Sequence, residues 1–198
     1  YKMIELTKKD QEALLIIYKD VANLYNANSL SKELGITQVG TMKLLKRLEK
    51  NNILLSKRIG KSIVYKINIE EEFVQKLIAF ALINEASKYT RWKDEYKPLY
   101  GKDRILLFYG SASRDYSTAK DIDIFIIIDK KDFHEVSKKL EQIQSILPKK
   151  LHAIKATKED LAKNIKENNK SMMEILKTAV VLYGYDKYME VVNGFTSF

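Results

Sequence analysis

The sequence contains no cysteine and few residues that interrupt regular structure, with two prolines and seven glycines among 198 residues. Without cysteine the chain can form no disulfide, no thiolate zinc site and no cysteine nucleophile. It also lacks a long apolar run, since the longest, residues 77–83, is far shorter than the roughly 20 residues that span a bilayer. No basic-then-apolar secretory signal is evident. We therefore expect a soluble, cytoplasmic protein without a membrane partner.

The remaining composition is typical of a folded protein. Hydrophobic residues make up 45% of the chain and charged residues 31%. This is enough apolar material for a packed core, and it differs from the composition of disordered or low-complexity chains. At roughly 100–200 residues per domain, the length allows one full-sized domain or two small ones.

Positive charge is concentrated in one short part of the chain. The formal net charge is +9, and residues 37–66 hold eight basic residues against one acid, Glu49. A solvated lysine surface is the ordinary explanation of surface charge, but this local concentration favours a nucleic-acid-binding face. The eight basic residues are Lys43, Lys46, Arg47, Lys50, Lys57, Arg58, Lys61 and Lys66.

Three helices are predicted in the first third of the chain. The apolar pattern of residues 11–19 predicts a core-facing helix. A second, short helix is capped by Asn28 or Ser29 and ended by Gly35, and a third opens at Thr37 and runs to about residue 50. Helix, glycine-containing turn and helix have the spacing of a helix-turn-helix. The third helix leaves these polar residues facing outwards: Gln38, Lys43, Lys46 and Arg47.

Two short strands, residues 53–56 and 63–67, are predicted next, with a basic hairpin tip between them. Residues 11–69 resemble the winged-helix family of DNA-binding domains. The resemblance implies double-stranded DNA as partner, with the outward residues of the third helix as base or phosphate contacts and the hairpin touching the backbone. A winged helix used only to bind protein is the alternative. The implied wing contacts are Lys57, Arg58 and Lys61.

Residues 70–86 are helical in pattern but apolar on nearly every side. Such a helix is buried between domains or against a second copy of the chain, so we expect a homodimer. The predicted organisation is a winged helix-turn-helix over residues 1–70, a connecting helix over 71–87 and a second domain over 88–198.

The second domain carries a pattern of acidic residues that points to a cation. A buried strand over residues 104–109 ends in Gly110 and Ser111, and a second strand opens with Asp121 and Asp123. Side chains at positions i and i+2 share one face of a strand. Two carboxylates there repel each other unless a positive group lies between them, and Mg²⁺ is the natural candidate.

This constellation resembles the nucleotidyltransferase fold of the polymerase-beta-like superfamily over about residues 88–193. The resemblance implies an α+β protein whose second domain is a mixed sheet flanked by helices. It also implies that Gly110 and Ser111 hold the phosphates of an NTP and that Asp121 and Asp123 bind two Mg²⁺ ions as the catalytic pair. Arg114 is a further candidate for phosphate, or it pairs with Asp115.

One departure from that family bears on catalysis. Active members carry a third carboxylate on a later strand, whereas the corresponding strand here, residues 151–156, holds no acid and places His152 at that position. Asp129 lies too far along its own strand. We therefore favour a DNA-binding transcriptional regulator whose second domain binds nucleotide and Mg²⁺. An active nucleotidyltransferase targeted by the winged helix is the main alternative, and the antitoxin of a toxin–antitoxin pair is a weaker one.

Overall fold

The computed structural model describes residues 5–196, which divide into two compact units. The first unit contains residues up to 81 together with those from 193 onwards, and the second contains residues 82–192. The division falls inside the helix that the sequence pattern assigns to a connector. Residues from 193 belong with the first unit, whereas the predicted second domain extends to 198. No helix within the described range is long and apolar enough to cross a membrane.

The first unit is built from three helices followed by a hairpin, the arrangement of a winged helix-turn-helix. Its helices begin at polar caps: Thr7 and Asp10 form a reciprocal capping box on α1, and the Thr37 side chain accepts from the Gly40 N–H at the start of α3. Gly35 ends α2 in the left-handed conformation, as the sequence predicts. The elements are α1 (Lys8–Lys19), α2 (Ala27–Leu34), α3 (Gln38–Lys50), β1 (Leu54–Ile59) and β2 (Ser62–Ile67).

The start of α2 differs from the sequence prediction. Its N-cap is Asn26, not Asn28 or Ser29. The Asn26 side chain accepts hydrogen bonds from the N–H groups of residues 28 and 29, and the Ser29 hydroxyl accepts one from the Asn26 N–H. Ser29 is therefore the third residue of the helix and the second half of a capping box.

The β1–β2 hairpin, which we call the wing, is joined to the helices by a third short strand segment. The Tyr65 N–H donates to the Tyr25 carbonyl at 2.8 Å, and the Tyr25 hydroxyl donates to the buried Asp20 carboxylate at 2.6 Å. Gly60 turns the hairpin with φ +58°. The base of the wing is therefore fixed to the helical core, while its tip extends into solvent.

Helix α4 (Glu72–Ala86) is only partly covered. Val74, Ile78 and Leu82 are buried, whereas the side chains of Phe73 and Phe80 are 52% and 53% exposed. Since α4 spans the division between the units, its two ends belong to different units.

The second unit is an α+β fold with a four-stranded mixed sheet in the order β5-β4-β3-β6. The strand β3 pairs antiparallel with both β4 and β6, and β4 pairs parallel with β5. Its strands are β3 (Ile105–Tyr109), β4 (Asp121–Ile127), β5 (Lys150–Ala156) and β6 (Val180–Tyr183). Its remaining helices are α5 (Thr90–Glu95), α6 (Ser111–Arg114), α7 (Phe133–Ile146), α8 (Lys158–Lys166), α9 (Lys170–Thr178) and α10 (Tyr185–Val192).

Aromatic side chains from residues 89–100 pack into the core of this unit. Trp92 and Tyr96 are buried and stack on each other, and the Trp92 ring lies 4.9 Å from the Phe108 ring between centroids. These aromatic side chains are therefore core residues of the second unit. The long apolar strand β4 lies in the middle of the sheet, so its alternate side chains are buried on both faces.

Candidate metal centre and nucleic-acid interface

Two aspartates of the second unit, Asp121 and Asp123, lie at the start of β4, beside the end of β3. Antiparallel pairing sets Asp123 opposite Tyr109, the last residue of β3, and Gly110 follows directly. Asp121 lies two residues earlier in β4, so both carboxylates point to one side of the sheet. Both are half-buried, because they lie at the end of a strand whose later residues form the core.

His152 joins the two carboxylates through the parallel pairing of β4 and β5. That register sets His152 beside Asp123. Its Nδ1 lies 3.5 Å from Asp121 Oδ2 and 3.6 Å from Asp123 Oδ1. Among residues 5–196, these three are the one group of histidine and acidic side chains whose ligand atoms are close enough to hold a metal ion together. The sequence prediction that His152 stands in the place of a third carboxylate agrees with this geometry.

Gly110 makes room for the Asp123 carboxylate. It adopts φ +77°, a conformation that residues with a side chain rarely take. A Cβ added there would overlap Asp123 Oδ2 and approach Asp123 Cγ to 3.0 Å. The glycine is therefore required twice, for the turn after β3 and for the close approach of the carboxylate.

The electrostatics of the site favour a cation. Burial raises the pKa of the Asp123 carboxyl, and the neighbouring Asp121 charge raises it further, while His152 acts in the opposite direction. Burial and the Asp123 charge also raise the pKa of the Tyr109 hydroxyl. Negative charge is thus costly here in the absence of a positive partner.

The other predicted residues of this site lie at different distances from the cluster. Ser111 is half-buried and begins α6, next to Gly110. Arg114 ends α6 and is exposed, and the Asp115 carboxylate accepts from Ser117 and Thr118. Among the described residues no ion pair joins Arg114 to Asp115. Asp129 lies beyond the far end of β4 and pairs with Lys131, which agrees with its predicted exclusion from the site.

The loop between α6 and β4 is fastened by a residue that sequence reasoning missed. Lys149, just before β5, donates hydrogen bonds from Nζ to the carbonyl groups of Tyr116 and Ala119. The same ammonium lies 4.3 Å from the centre of the Tyr116 ring. The Lys149 side chain thereby links the loop that precedes Asp121 to the residue just before β5, the strand that carries His152. No sequence pattern signals this, because Lys149 and Lys150, which follow Pro148, resemble any pair of surface lysines.

On the first unit, α3 presents a polar face to solvent, which we call the α3 face. Its buried side consists of Thr41, Leu44, Leu45 and Leu48. Gln38, Lys43 and Lys46 are exposed, as predicted. Two apolar residues that sequence reasoning missed share this face, since the side chains of Val39 and Met42 are 58% and 41% exposed. Val39 and Met42 lie between the predicted contacts Gln38 and Lys43 and are spaced to share one side of the helix. This spacing was the sequence signal for their exposure.

Arg47 differs from the other basic residues of α3. Its guanidinium pairs with a carboxylate oxygen of Asp10, whose side chain is fully buried and also caps α1 through Thr7. About half of the Arg47 side chain remains exposed. The predicted DNA contact is therefore already engaged in an internal ion pair between α3 and α1.

The three predicted wing contacts are on the exposed part of the hairpin. Lys57 and Arg58 lie in β1, and Lys61 follows the turn at Gly60. The side chain of Ile59, at the tip, is 49% exposed. The wing therefore presents positive charge at its tip, as the sequence predicts.

Comparison with known proteins gave no family model and no curated protein that matches this chain. Solved structures that align with it include a variant of ZitR from Lactococcus lactis, with 13% identity over 73% of this chain and 77% of that one at a TM-score of 0.36. Another ZitR structure contains DNA. The adhesin competence repressor AdcR from Streptococcus pyogenes aligns with 16% identity over 72% and 80% at 0.34. OxyR from Corynebacterium glutamicum, in its oxidized form, aligns with 12% identity over 85% and 44% at 0.36.

Proposed function

We propose that this chain is a DNA-binding transcriptional regulator whose second unit binds a nucleotide together with a divalent cation. The observation that carries the DNA-binding part is the joint exposure of polar and basic residues on the α3 face and on the wing. In a winged helix-turn-helix the second helix of the motif, here α3, enters the major groove, and the wing reaches the sugar–phosphate backbone.

The proposed roles of individual residues follow from their chemistry. Lys43, Lys46 and the wing residues supply charge to phosphates, which positions the protein without reading sequence. Gln38 has the donor and acceptor that adenine requires in the major groove, and Val39 and Met42 suit the thymine methyl group. Arg47 is left out of this set because it is paired with Asp10.

A salt titration tests the DNA interface. Binding of the full chain to random-sequence duplex is measured by fluorescence anisotropy at several salt concentrations, for wild type and for Lys43→Ala and Lys61→Ala. Each variant should bind more weakly, and the slope of log K against log salt should fall by roughly 0.9 for each phosphate contact removed. Lys138→Ala, which removes an exposed lysine from α7 of the second unit, is the matched control and should keep the slope. Unchanged slopes in both test variants would exclude this face.

For the second unit, we propose that Gly110, Ser111 and Arg114 receive nucleotide phosphates and that Asp121 and Asp123 hold the cation that bridges to them. Mg²⁺, which the sequence resemblance implies, suits two carboxylate ligands and phosphate oxygens. A bound cation would offset the repulsion between the two aspartates and the negative charge of the phosphates. Gly110 keeps Asp123 free to reach it.

Nucleotidyl transfer is the second candidate function, favoured by the pair of carboxylates on one strand face beside Gly110. Against it stands His152, because a histidine ligand lacks the negative charge with which a third carboxylate would activate a hydroxyl nucleophile. We therefore propose binding and regulation in preference to catalysis. Nucleotide binding would regulate DNA affinity if the chain has two conformations that differ in their affinity for DNA and also in their affinity for nucleotide.

Calorimetric titration of each of the four NTPs, with Mg²⁺, into wild type and an Asp121→Asn/Asp123→Asn variant distinguishes these functions. The same samples are assayed for pyrophosphate. Binding that the variant loses, without pyrophosphate release, supports a nucleotide-responsive regulator. Steady pyrophosphate release supports the transferase. Absence of binding to any NTP would remove the nucleotide from the proposal and leave the DNA-binding unit.

We also propose that α4 pairs with α4 of a second copy. Phe73 and Phe80 are exposed apolar residues on the part of α4 in the first unit, and two half-sites strengthen DNA binding. Light scattering should give the mass of a dimer, and Phe73→Lys/Phe80→Lys should give that of a monomer. A wild-type monomer at micromolar concentration would exclude the dimer.

A further inference from the structure

The donor set of the acidic site differs from one suited to Mg²⁺ alone. Its ligand atoms are two carboxylate oxygens and the Nδ1 atom of His152, all within 4.8 Å of one another. All three side chains are half-buried, so they are both positioned by the sheet and open to an ion. Mg²⁺ prefers oxygen ligands, whereas imidazole nitrogen is typical of zinc, cobalt and other transition-metal sites.

The distances from Nδ1 leave room for an ion among the three ligand atoms. Hydrogen bonds from nitrogen to oxygen are about 2.7–3.2 Å long, and Nδ1 lies 3.5 Å and 3.6 Å from the two carboxylate oxygens. Ligands about 2.1 Å from a tetrahedral ion lie about 3.4 Å apart. Ligands at the same distance from an octahedral Mg²⁺ would lie about 3.0 Å apart. The observed separations are in the range of ligands that can share one ion, and the preference between ions follows from the nitrogen donor.

The backbone holds His152 in this position. Its strand pairs in parallel with β4 over the whole length of both, so that Asp121, Asp123 and His152 face one another through two adjacent strands of one sheet. A ligand carried by a central sheet needs little rearrangement to bind, which raises affinity for an ion that fits.

The rest of the sequence makes this site unusually easy to isolate by experiment. The chain has no cysteine and two histidines, His134 and His152. His134 is exposed on α7 and is not part of the cluster. His134 and His152 are therefore the only two residues in the sequence that could bind a transition metal through an imidazole, and no residue could bind one through a thiolate.

We propose that Asp121, Asp123 and His152 form a site for a transition-metal ion such as Zn²⁺ or Co²⁺, bound in preference to Mg²⁺ with His152 Nδ1 as a direct ligand. Three protein ligands leave a position open, as in zinc sites that also bind water or substrate. A phosphate oxygen of the nucleotide would suit that position. This inference rests on the proposed cation site of the second unit and changes the identity of its ion.

The test measures binding of Zn²⁺, Co²⁺ and Mg²⁺, as chlorides, to the full chain after removal of any histidine tag. Calorimetry gives the affinities for wild type, His152→Ala, His152→Asp and the control His134→Ala. The His152→Ala variant should lose Zn²⁺ and Co²⁺ affinity by on the order of tenfold or more, with Mg²⁺ affinity unchanged. The His152→Asp variant should bind Mg²⁺ more tightly than wild type, because it restores an all-oxygen site. His134→Ala should match wild type.

Two spectroscopic readouts separate ligation from a structural effect of the substitution. Co²⁺ should give the intense visible absorption of a tetrahedral site in wild type and in His134→Ala, and lose it in His152→Ala. In NMR spectra, which contain two imidazoles, Zn²⁺ should shift the signals of one histidine, the one missing from His152→Ala. Circular dichroism checks that each variant is folded.

The outcomes distinguish this inference from the proposed function. Equal Zn²⁺ affinity in wild type and His152→Ala, with binding lost in Asp121→Asn/Asp123→Asn, would overturn the role of His152 and leave a carboxylate cation site. Mg²⁺ binding as tight as Zn²⁺ binding would overturn the preference. No binding of any of the three ions would overturn both the inference and the proposed cation site.

Discussion

The side chains proposed to contact DNA lie on the α3 face and on the wing of the first unit. They are exposed, and none of them depends on another for its position. In the second unit, Asp121, Asp123 and His152 are half-buried and depend on one another through strand register and on Gly110 for space. The first surface should therefore lose affinity in small, separate and salt-dependent steps. The second site should lose most of its affinity for a transition metal when any one part of its geometry is disturbed.

Gly110→Ala is the strongest way to test this contrast. The added methyl group would overlap the Asp123 carboxylate and would also force φ +77° on alanine. We expect binding of Zn²⁺ to be lost and stability to fall by roughly 1–3 kcal/mol. Titration calorimetry and thermal unfolding measure the two effects.

Gly60→Ala is the matched control, because Gly60 has φ +58° but an added Cβ would meet nothing within 4 Å. This substitution should lower the stability of the fold because of the backbone conformation alone, and it should leave Zn²⁺ binding unchanged. Equal effects of the two substitutions would show that Gly110 matters only for its conformation.

Arg47→Ala separates structural charge from DNA-binding charge within one helix. Removing the guanidinium leaves the buried Asp10 carboxylate without its ion-pair partner. We expect the free energy of unfolding to fall by about 1–3 kcal/mol. The neighbouring Lys46→Ala, at an exposed position, should change it by no more than about 0.5 kcal/mol. Urea denaturation measures both.

The opposite pattern would restore Arg47 to the DNA interface. A stable Arg47→Ala variant whose salt slope falls as much as that of Lys43→Ala would mean that Arg47 leaves Asp10 to contact phosphate.

Asp123→Asn should have the smallest effect, and it should stabilise the metal-free chain. Burial and the Asp121 charge raise the pKa of the folded Asp123 carboxyl. Its contribution to stability is therefore fully present below the ordinary carboxyl pKa of about 3.9 and is lost as pH rises through the raised value. With chelator at pH 7 the variant should unfold at a higher temperature than wild type, and the difference should shrink towards pH 4.

Asp129→Asn provides the comparison for that measurement, since Asp129 is exposed beyond the far end of β4. It should leave the unfolding temperature unchanged at pH 7. An unfolding temperature of Asp123→Asn below that of wild type in chelator would show that the carboxylate stabilises the apo fold.

Local signals made much of the fold predictable from the sequence. Thr37 and Gly35 are capping residues that mark the ends of α3 and α2 within a few positions. The placement of Asp121 and Asp123 on one face of a strand follows from the period of two in β-structure.

The remaining features depend on contacts between distant residues. Asp10 and Arg47 are 37 positions apart, and no local pattern indicates that this arginine, among several on α3, is the paired one. The contact between Gly110 and Asp123 requires the register of β3 with β4, which the sequence does not specify. Asn26 was missed as a cap because three candidate capping residues lie within four positions.

The hydrogen bonds of Lys149 have a consequence for local opening of the second unit. Because one ammonium holds the carbonyl groups of Tyr116 and Ala119, opening of the loop before β4 breaks contacts that are made from the residue just before β5. The segments that carry Asp121 and His152 should then open together as one cooperative unit in amide hydrogen exchange. An ion bound between them would slow exchange in both segments by the same factor, although residues 128–149 separate the two strands in the sequence.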